Sequence, residues 1–224
     1  LDAATGKEIW HYYPKLDPVV NTLFFQPYNR GVAHGHDKIF MGMLDGWVVA
    51  LDAKNGKEIW KNPVLDTKKC SCNFTGAPLL VKDKVIIGQT AGELPIQGQI
   101  HALAAADGKI VWQFNTIKED PNSWGGESGK FGGGGGWMTG SYDPDTNLVF
   151  WGTGNPAPDY DWGGARPGDN LYTSSVVALD ADTGKLVWYR QENPHDDWDY
   201  DSALGESVLL DRPAAGTVKK LLVH

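Results

Sequence analysis

The 224-residue chain carries 28 acidic against 20 basic residues, a formal charge of -8, and 41% hydrophobic residues. That is enough apolar material for a core, but it lacks the basic surplus that a nucleic-acid backbone needs for counterion displacement, and it disfavours an acidic ligand wherever local fields do not reverse the sign. No run of about 18 apolar residues offers a helical membrane span, no basic stretch followed by an apolar one opens the chain, and 28 glycines alongside ten tryptophans without a G-X-Y period exclude collagen and plain disorder.

In chain order, the opening LDAATGKEIW (1–10) returns as LDAKNGKEIW (51–60), LAAADGKIVW (103–112) and LDADTGKLVW (179–188). Internal repetition of this kind sets the architecture before any other signal. Each copy reads as strand, tight turn, strand. Val48 to Leu51 lead into Asn55-Gly56, whose residue types accept positive φ, and Ile59-Trp60 start the return. The same order recurs at Ile100 to Leu103, Asp107-Gly108 and Val111-Trp112, and again at Val176 to Leu179, Thr183-Gly184 and Val187-Trp188. A further β run precedes each pair, at Ile39 to Met43, Val85 to Gly88 and Leu148 to Gly152.

The repeat is therefore a small antiparallel sheet. Spacings of 50 and 52 residues between the first three copies suit four short strands, the size of a propeller blade, and the third spacing of 76 places an insertion around 118–140. The expected fold is all-β, with residues 1–224 a fragment of one propeller domain holding about three to four blades. Sheets of this kind bury their faces only by packing on one another, so Trp10, Trp60, Trp112 and Trp188 are expected as wedges between neighbours, each indole N–H meeting a backbone carbonyl. Because the outer blades would expose packing faces, the isolated piece is expected to be poorly stable.

Cys70 and Cys72 are expected as free or structural thiols, ahead of a mutual disulfide that would close a very small ring. Gly132 to Gly136 lose too much backbone entropy for a helix or ordinary strand, and with Trp124 and Trp137 beside them they point to a close approach of backbone to something large and flat. The run lacks the Lys-Ser/Thr ending of a phosphate loop. Three polar residues break the β pattern where functional positions would lie: Glu93, Asn155 and Asp199. These are hard oxygen donors suited to calcium or a similar cation, and equally suited to capping turns or facing solvent.

The repeated motif, with TGAP at 75–78, TAGE at 90–93, GGGGGW ending at Trp137, WGTGN ending at Asn155 and WDYD at 198–201, resembles the pyrroloquinoline-quinone (PQQ)-dependent alcohol dehydrogenases of the methanol and ethanol type. The resemblance implies an eight-bladed propeller in the periplasm that oxidises primary alcohols, passes electrons to a c-type cytochrome and forms a homodimer at full length. It implies Glu93, Asn155 and Asp199 as metal ligands, with Asp199 also the catalytic base. Trp137 becomes the floor under the planar cofactor and Arg30 the donor to its quinone oxygens, unless Arg30 is a surface salt-bridge former. Thr75, Thr90, Ala91, Gly92 and Gly135 contribute further cofactor contacts, or local backbone capping in the case of the threonines.

Two departures stand out. The family's adjacent cysteine pair is replaced by Phe24 and Phe25, an aromatic lid in place of a disulfide one. Asp201, two residues after Asp199, resembles the additional aspartate of lanthanide-dependent members, so that Ca²⁺ and a lanthanide both stay open; Asp196 and Asp197 are expected on the solvated approach. The competing functions are a noncatalytic propeller scaffold of the outer-membrane assembly type and a quinoprotein sugar or polyol dehydrogenase.

Overall fold

The structure is a computed structural model, and it describes residues 1–23, 28–90, 92–202, 207–214 and 217–224. Three four-stranded antiparallel sheets follow one another along the chain, each a simple meander. The first holds β1 (Ala33–Gly35), β2 (Lys38–Gly42), β3 (Trp47–Asp52) and β4 (Glu58–Pro63). The second holds β5 (Leu79–Val81), β6 (Lys84–Gly88), β7 (Gln99–Ala104) and β8 (Ile110–Asn115). The third holds β9 (Ser141–Asp143), β10 (Leu148–Gly152), β11 (Ser175–Asp180) and β12 (Leu186–Gln191), and the hairpin of β13 (Val208–Ala214) and β14 (Thr217–Val223) comes after it. Helix is confined to short pieces, including one turn at α1 (Thr67–Cys70).

The sheets stack face to face, which explains why the central strands read as continuous apolar runs. In β6, Val85 and Ile87 pack towards the first sheet while Ile86 joins Val149, Trp151, Val177 and Leu179 of the third. In β11, Val177 and Leu179 face the second sheet, and Val176 and Ala178 face Leu209 and Leu222 of the hairpin. Alternate side chains leave a strand on opposite sides, so a strand buried on both sides reads as a nearly continuous apolar run, which His101 in β7 interrupts.

The motif tryptophans dock each sheet on the next. The indole N–H of Trp10 donates to Ala53 O (3.0 Å), that of Trp60 to Ala105 O (3.2 Å) and that of Trp112 to Ala181 O (3.1 Å). The motif glycine has two duties at this contact. Gly56, Gly108 and Gly184 hold φ of +72°, +74° and +68°, and a Cβ on any of them would fall within 2.6 Å of the preceding copy's indole. Trp188 occupies the same register, opposite Ala178 as Trp60 is opposite Ala50. Trp188 lies against Phe150 and is 39% exposed.

The extra length of the third unit lies in two places. The β8–β9 connection fills 116–140, and the β10–β11 connection at 153–174 is longer than its counterpart at 89–98. The cysteines form a disulfide, against the expectation of thiols. After the single turn of α1, Ser71 takes a left-handed conformation (φ 52°) that folds the chain back and brings Cys70 and Cys72 together.

Candidate cofactor and metal site

In an antiparallel meander the start of the first strand and the exit of the second share one end of the sheet. Every candidate residue comes from that end. Arg30 precedes β1, Thr75 precedes β5, Gly92 and Glu93 follow β6, Trp137 precedes β9, Asn155 follows β10, and Asp199 and Asp201 precede β13. Arg30, Thr75, Thr90, Glu93, Trp137, Asp199 and Asp201 line one cavity of about 200 Å³, with Tyr28 added by the structure. Asn155 and Gly92 lie buried behind it. Ala91 and the Phe24–Phe25 lid are outside the described residues.

Trp137 organises the wall. Its indole N–H donates to Asp201 Oδ2 (2.9 Å), and the Arg30 guanidinium lies over its ring at 4.9 Å with the Tyr28 ring 5.7 Å away. Arg30 thus stacks on aromatic faces, where its charge is attracted by the ring quadrupoles. Both threonines border the cavity; the Thr90 hydroxyl donates to Asn73 Oδ1 at 2.5 Å, whereas Thr75 has no side-chain hydrogen bond among the described residues.

The glycine run fits closely against protein. Gly133 O and N bond Gly98 N and Ile96 O (2.7 and 2.8 Å), Gly134 N donates to Asn155 O (2.8 Å), and Gly135 O accepts from Gly154 N (2.7 Å). The neighbours of the run are partly backbone and partly indole: a Cβ on Gly88 or Gly98 would meet Gly136 O or Gly134 O, and Gly135 packs on Gln89 and Gly92, while a Cβ on Gly132 would meet the Trp124 ring at 2.7 Å and one on Gly136 the Trp151 ring at 2.9 Å. The run is a strut joining the loop of Glu93 to the loop of Asn155.

Four acidic side chains gather around this strut. Burial is the first cause that raises each pKa: Glu93 to about 7 and Asp201 to about 6, with Asp159 and Asp199 raised as well. Repulsion adds to it, from Asp159, Asp201 and Asp199 on Glu93 and from Asp199 on both Asp159 and Asp201. The Asn155 amide is fixed: its Nδ2 donates to Asp159 Oδ1 (2.6 Å) and Pro156 O (3.1 Å), leaving Oδ1 towards Gly92, while its backbone N–H donates to Asp201 Oδ1 (2.6 Å).

The donor set is all oxygen and its carboxylates repel one another, so in chemistry and charge it fits a hard cation. Among the described residues, no three His, Cys, Asp or Glu side chains are close enough together to hold a metal ion. The carboxylates stand round the cavity more widely than a coordination shell.

Sequence reading missed three residues here. Tyr28 lies two positions before Arg30 without a pattern to mark it. Asp159 is found four residues after Asn155. Asp196, expected on the solvated approach, is 1% exposed, because its carboxylate folds inward to accept hydrogen bonds from the backbone of its own loop.

Tryptophan-docked four-stranded sheets with a carboxylate-rich cavity at one end have the build of a β-propeller with a candidate ligand site on its face. The profile of the PQQ family described as glucose/ethanol/alcohol dehydrogenase, beta-propeller domain, matches residues 1–224, and the chain belongs to this family. It is 40% identical over 241 residues to quinohemoprotein alcohol dehydrogenase ADH IIB of Pseudomonas putida, covering 100% of this chain and 35% of that protein. The crystal structure of quinohemoprotein alcohol dehydrogenase from Comamonas testosteroni superposes with a TM-score of 0.89 at 37% identity, covering 100% of this chain and 36% of that one. A europium-containing methanol dehydrogenase gives a TM-score of 0.87 at 36% identity, covering 96% and 41%. The chain spans about a third of the length of the curated relatives it matches.

Proposed function

We propose that the protein built on this segment oxidises primary alcohols to aldehydes, with PQQ and a hard cation bound at the cavity and Asp199 as base. The observation that carries this reading is the cavity itself, where an indole face, a guanidinium and clustered carboxylates meet in a chain of this family. When bound, the quinone supplies the two-electron acceptor and the cation the Lewis acid that polarises it.

The chain's own residues do the rest. Asp199, its carboxyl raised above the ordinary range by burial, takes the hydroxyl proton of the alcohol as the carbon gives up its hydride. Trp137 offers a flat apolar face, and Arg30 and the Thr75 hydroxyl offer donors to an anionic ring system. A ring stacked on Trp137 would need the place held by the guanidinium, so Arg30 would have to move aside to bind it from the edge. Glu93, Asn155 Oδ1, Asp199 and Asp201 supply the oxygens for the cation. Asp201 adds a carboxylate that favours a trivalent ion, a reading supported by the likeness to the europium-containing enzyme.

The Cys70–Cys72 disulfide agrees with an oxidising compartment and supports a periplasmic location. The quinohemoprotein relatives support a c-type cytochrome as electron acceptor. The test is dye-linked alcohol oxidation by the full-length enzyme, stripped of metal and reconstituted with PQQ and either La³⁺ or Ca²⁺. Turnover of primary alcohols that needs both additions is expected. Quinone uptake without alcohol oxidation under either ion would refute the reading, and preferential oxidation of glucose or glycerol would move the enzyme to the sugar and polyol class.

A further inference from the structure

The loops that carry Asn155, Asp199 and Asp201 are joined by a fully buried arginine outside the cavity. Arg166 is 0% exposed. Its Nε donates to Pro158 O (2.9 Å) and its Nη1 to Asn170 Oδ1 (2.7 Å). Its Nη2 donates to Asp159 O (3.2 Å), to the Asp196 carbonyl and to Asp197 Oδ1 (3.2 Å). Pro158 and Asp159 belong to the loop that begins at Asn155, and Asp196 and Asp197 to the loop that ends at Asp201. One planar group with a fixed fork of donors therefore sets the separation of the two loops.

Asp196 shapes the second loop from within. Its Oδ1 accepts from Asn193 Nδ2 (2.7 Å) and Trp198 N (3.0 Å), and its Oδ2 from Tyr200 N (2.6 Å) and Ser174 Oγ (3.3 Å). The amides on both sides of Asp199 are thus tied to one carboxylate, and Asp199 stands at the apex between them with φ +63°. That left-handed conformation is one that Asp tolerates better than most residues, but it needs an external hold.

We propose that Arg166 and Asp196 are the positioning pair of the cation site: they touch neither alcohol nor cofactor, and they fix Asn155, Asp199 and Asp201 relative to one another. This rests on the functional reading above. The logic is that of outer-shell residues in metal sites, whose loss typically weakens metal affinity by roughly 10- to 100-fold. Asp196→Asn is the sharper variant, since either oxygen replaced by NH₂ would point at a backbone N–H. Arg166→Lys keeps the charge and loses the fork.

The experiment uses the full-length enzyme with PQQ bound and metal removed, titrated with Tb³⁺ and followed by its luminescence. Both variants are expected to bind Tb³⁺ about 10- to 100-fold more weakly than wild type, with turnover recovering at saturating La³⁺, a rescue that a general loss of folded enzyme would not show. If Asp196→Asn fails to fold, Arg166→Lys and Asp197→Asn decide, the latter with a smaller loss of about fivefold. Folded variants whose Tb³⁺ affinity stays within twofold of wild type would overturn the positioning role alone. A wild type that takes up no Tb³⁺ would overturn the functional reading and this inference with it.

Discussion

At one end of the sheets, the turns between third and fourth strands are built alike: a positive-φ glycine, backbone bonds from Asp52 N to Lys57 O, Ala104 N to Lys109 O and Asp180 N to Lys185 O, and an indole from the preceding copy against the glycine. At the other end no two loops agree, and there the chain buries Arg166 and Asp196, raises four carboxyl pKa values and holds Asp199 in the left-handed region. The uniform end bears the stacking, and the irregular end holds the cavity and its carboxylates. Substitutions should therefore divide cleanly, with stability lost at one end and turnover at the other.

The largest effect belongs to the irregular end. Asp199→Ala in the full-length enzyme should lower turnover by about 10³-fold, within the span of general-base contributions, while quinone uptake followed by fluorescence is retained. Activity within tenfold of wild type would take the base away from this residue. At the uniform end, Gly108→Ala adds a Cβ 2.6 Å from Trp60 at φ +74°. Left-handed strain and overpacking together should cost about 2 to 4 kcal/mol in denaturant unfolding, with little change in turnover of the folded enzyme. Gly164→Ala has a similar φ of +72° and open space around it, and it should cost only about 1 to 2 kcal/mol. Equal losses at the two glycines would show that the indole contact contributes nothing.

His101, in the middle of β7, tests the core between the two ends. It is 1% exposed with no hydrogen-bond partner on either ring nitrogen among the described residues, and burial lowers its pKa from 6.5 to about 4. The unfolded chain therefore takes up a proton that the folded one refuses. Stability present above pH 6.5 should fall as the pH drops towards 4, by on the order of 3 kcal/mol from this group. His101→Leu should flatten that part of the pH profile; an unchanged slope would contradict a neutral buried imidazole.

Asp201→Ala should reduce La³⁺-supported turnover at least about tenfold more than Ca²⁺-supported turnover, because the trivalent ion loses more compensation with the carboxylate. Equal losses would remove the ion preference. The smallest effect is expected at Cys70 and Cys72, whose disulfide closes a minimal loop and does not border the cavity. Mild reduction should lower stability by no more than about 1.5 kcal/mol and leave quinone uptake and turnover unchanged. Loss of turnover on reduction would give the disulfide a functional part.

The legible portion of the fold follows the same division. The repeat could be read because one physical requirement, a glycine under an indole, recurs at nearly even spacing, and the continuous apolar runs Val85 to Ile87 and Val176 to Leu179 mark strands buried on both faces. In the cavity, Glu93, Trp137, Asp199 and Asp201 could be found because a family pattern names them. Asp196 and Arg166 could not: Asp196 is buried by the path of its own loop, whose backbone N–H groups leave no mark in the residue types, and Arg166 meets Asp196 across 30 residues. The disulfide was missed because it depends on the left-handed turn at Ser71, a residue type that gives no warning of it.

The indole-on-glycine contact also has a direction. Each sheet offers a knob on its last strand and a socket on the turn before it, so the joint is head to tail. A polar joint of this kind never saturates by pairing like with like, as a twofold interface does. It propagates, and it stops propagating only where accumulated rotation brings the last knob round to the first socket. The angle between successive sheets therefore decides whether the repeat makes a ring or a filament, and an indole seat that tilts by a few degrees changes the number of units at which the circle closes.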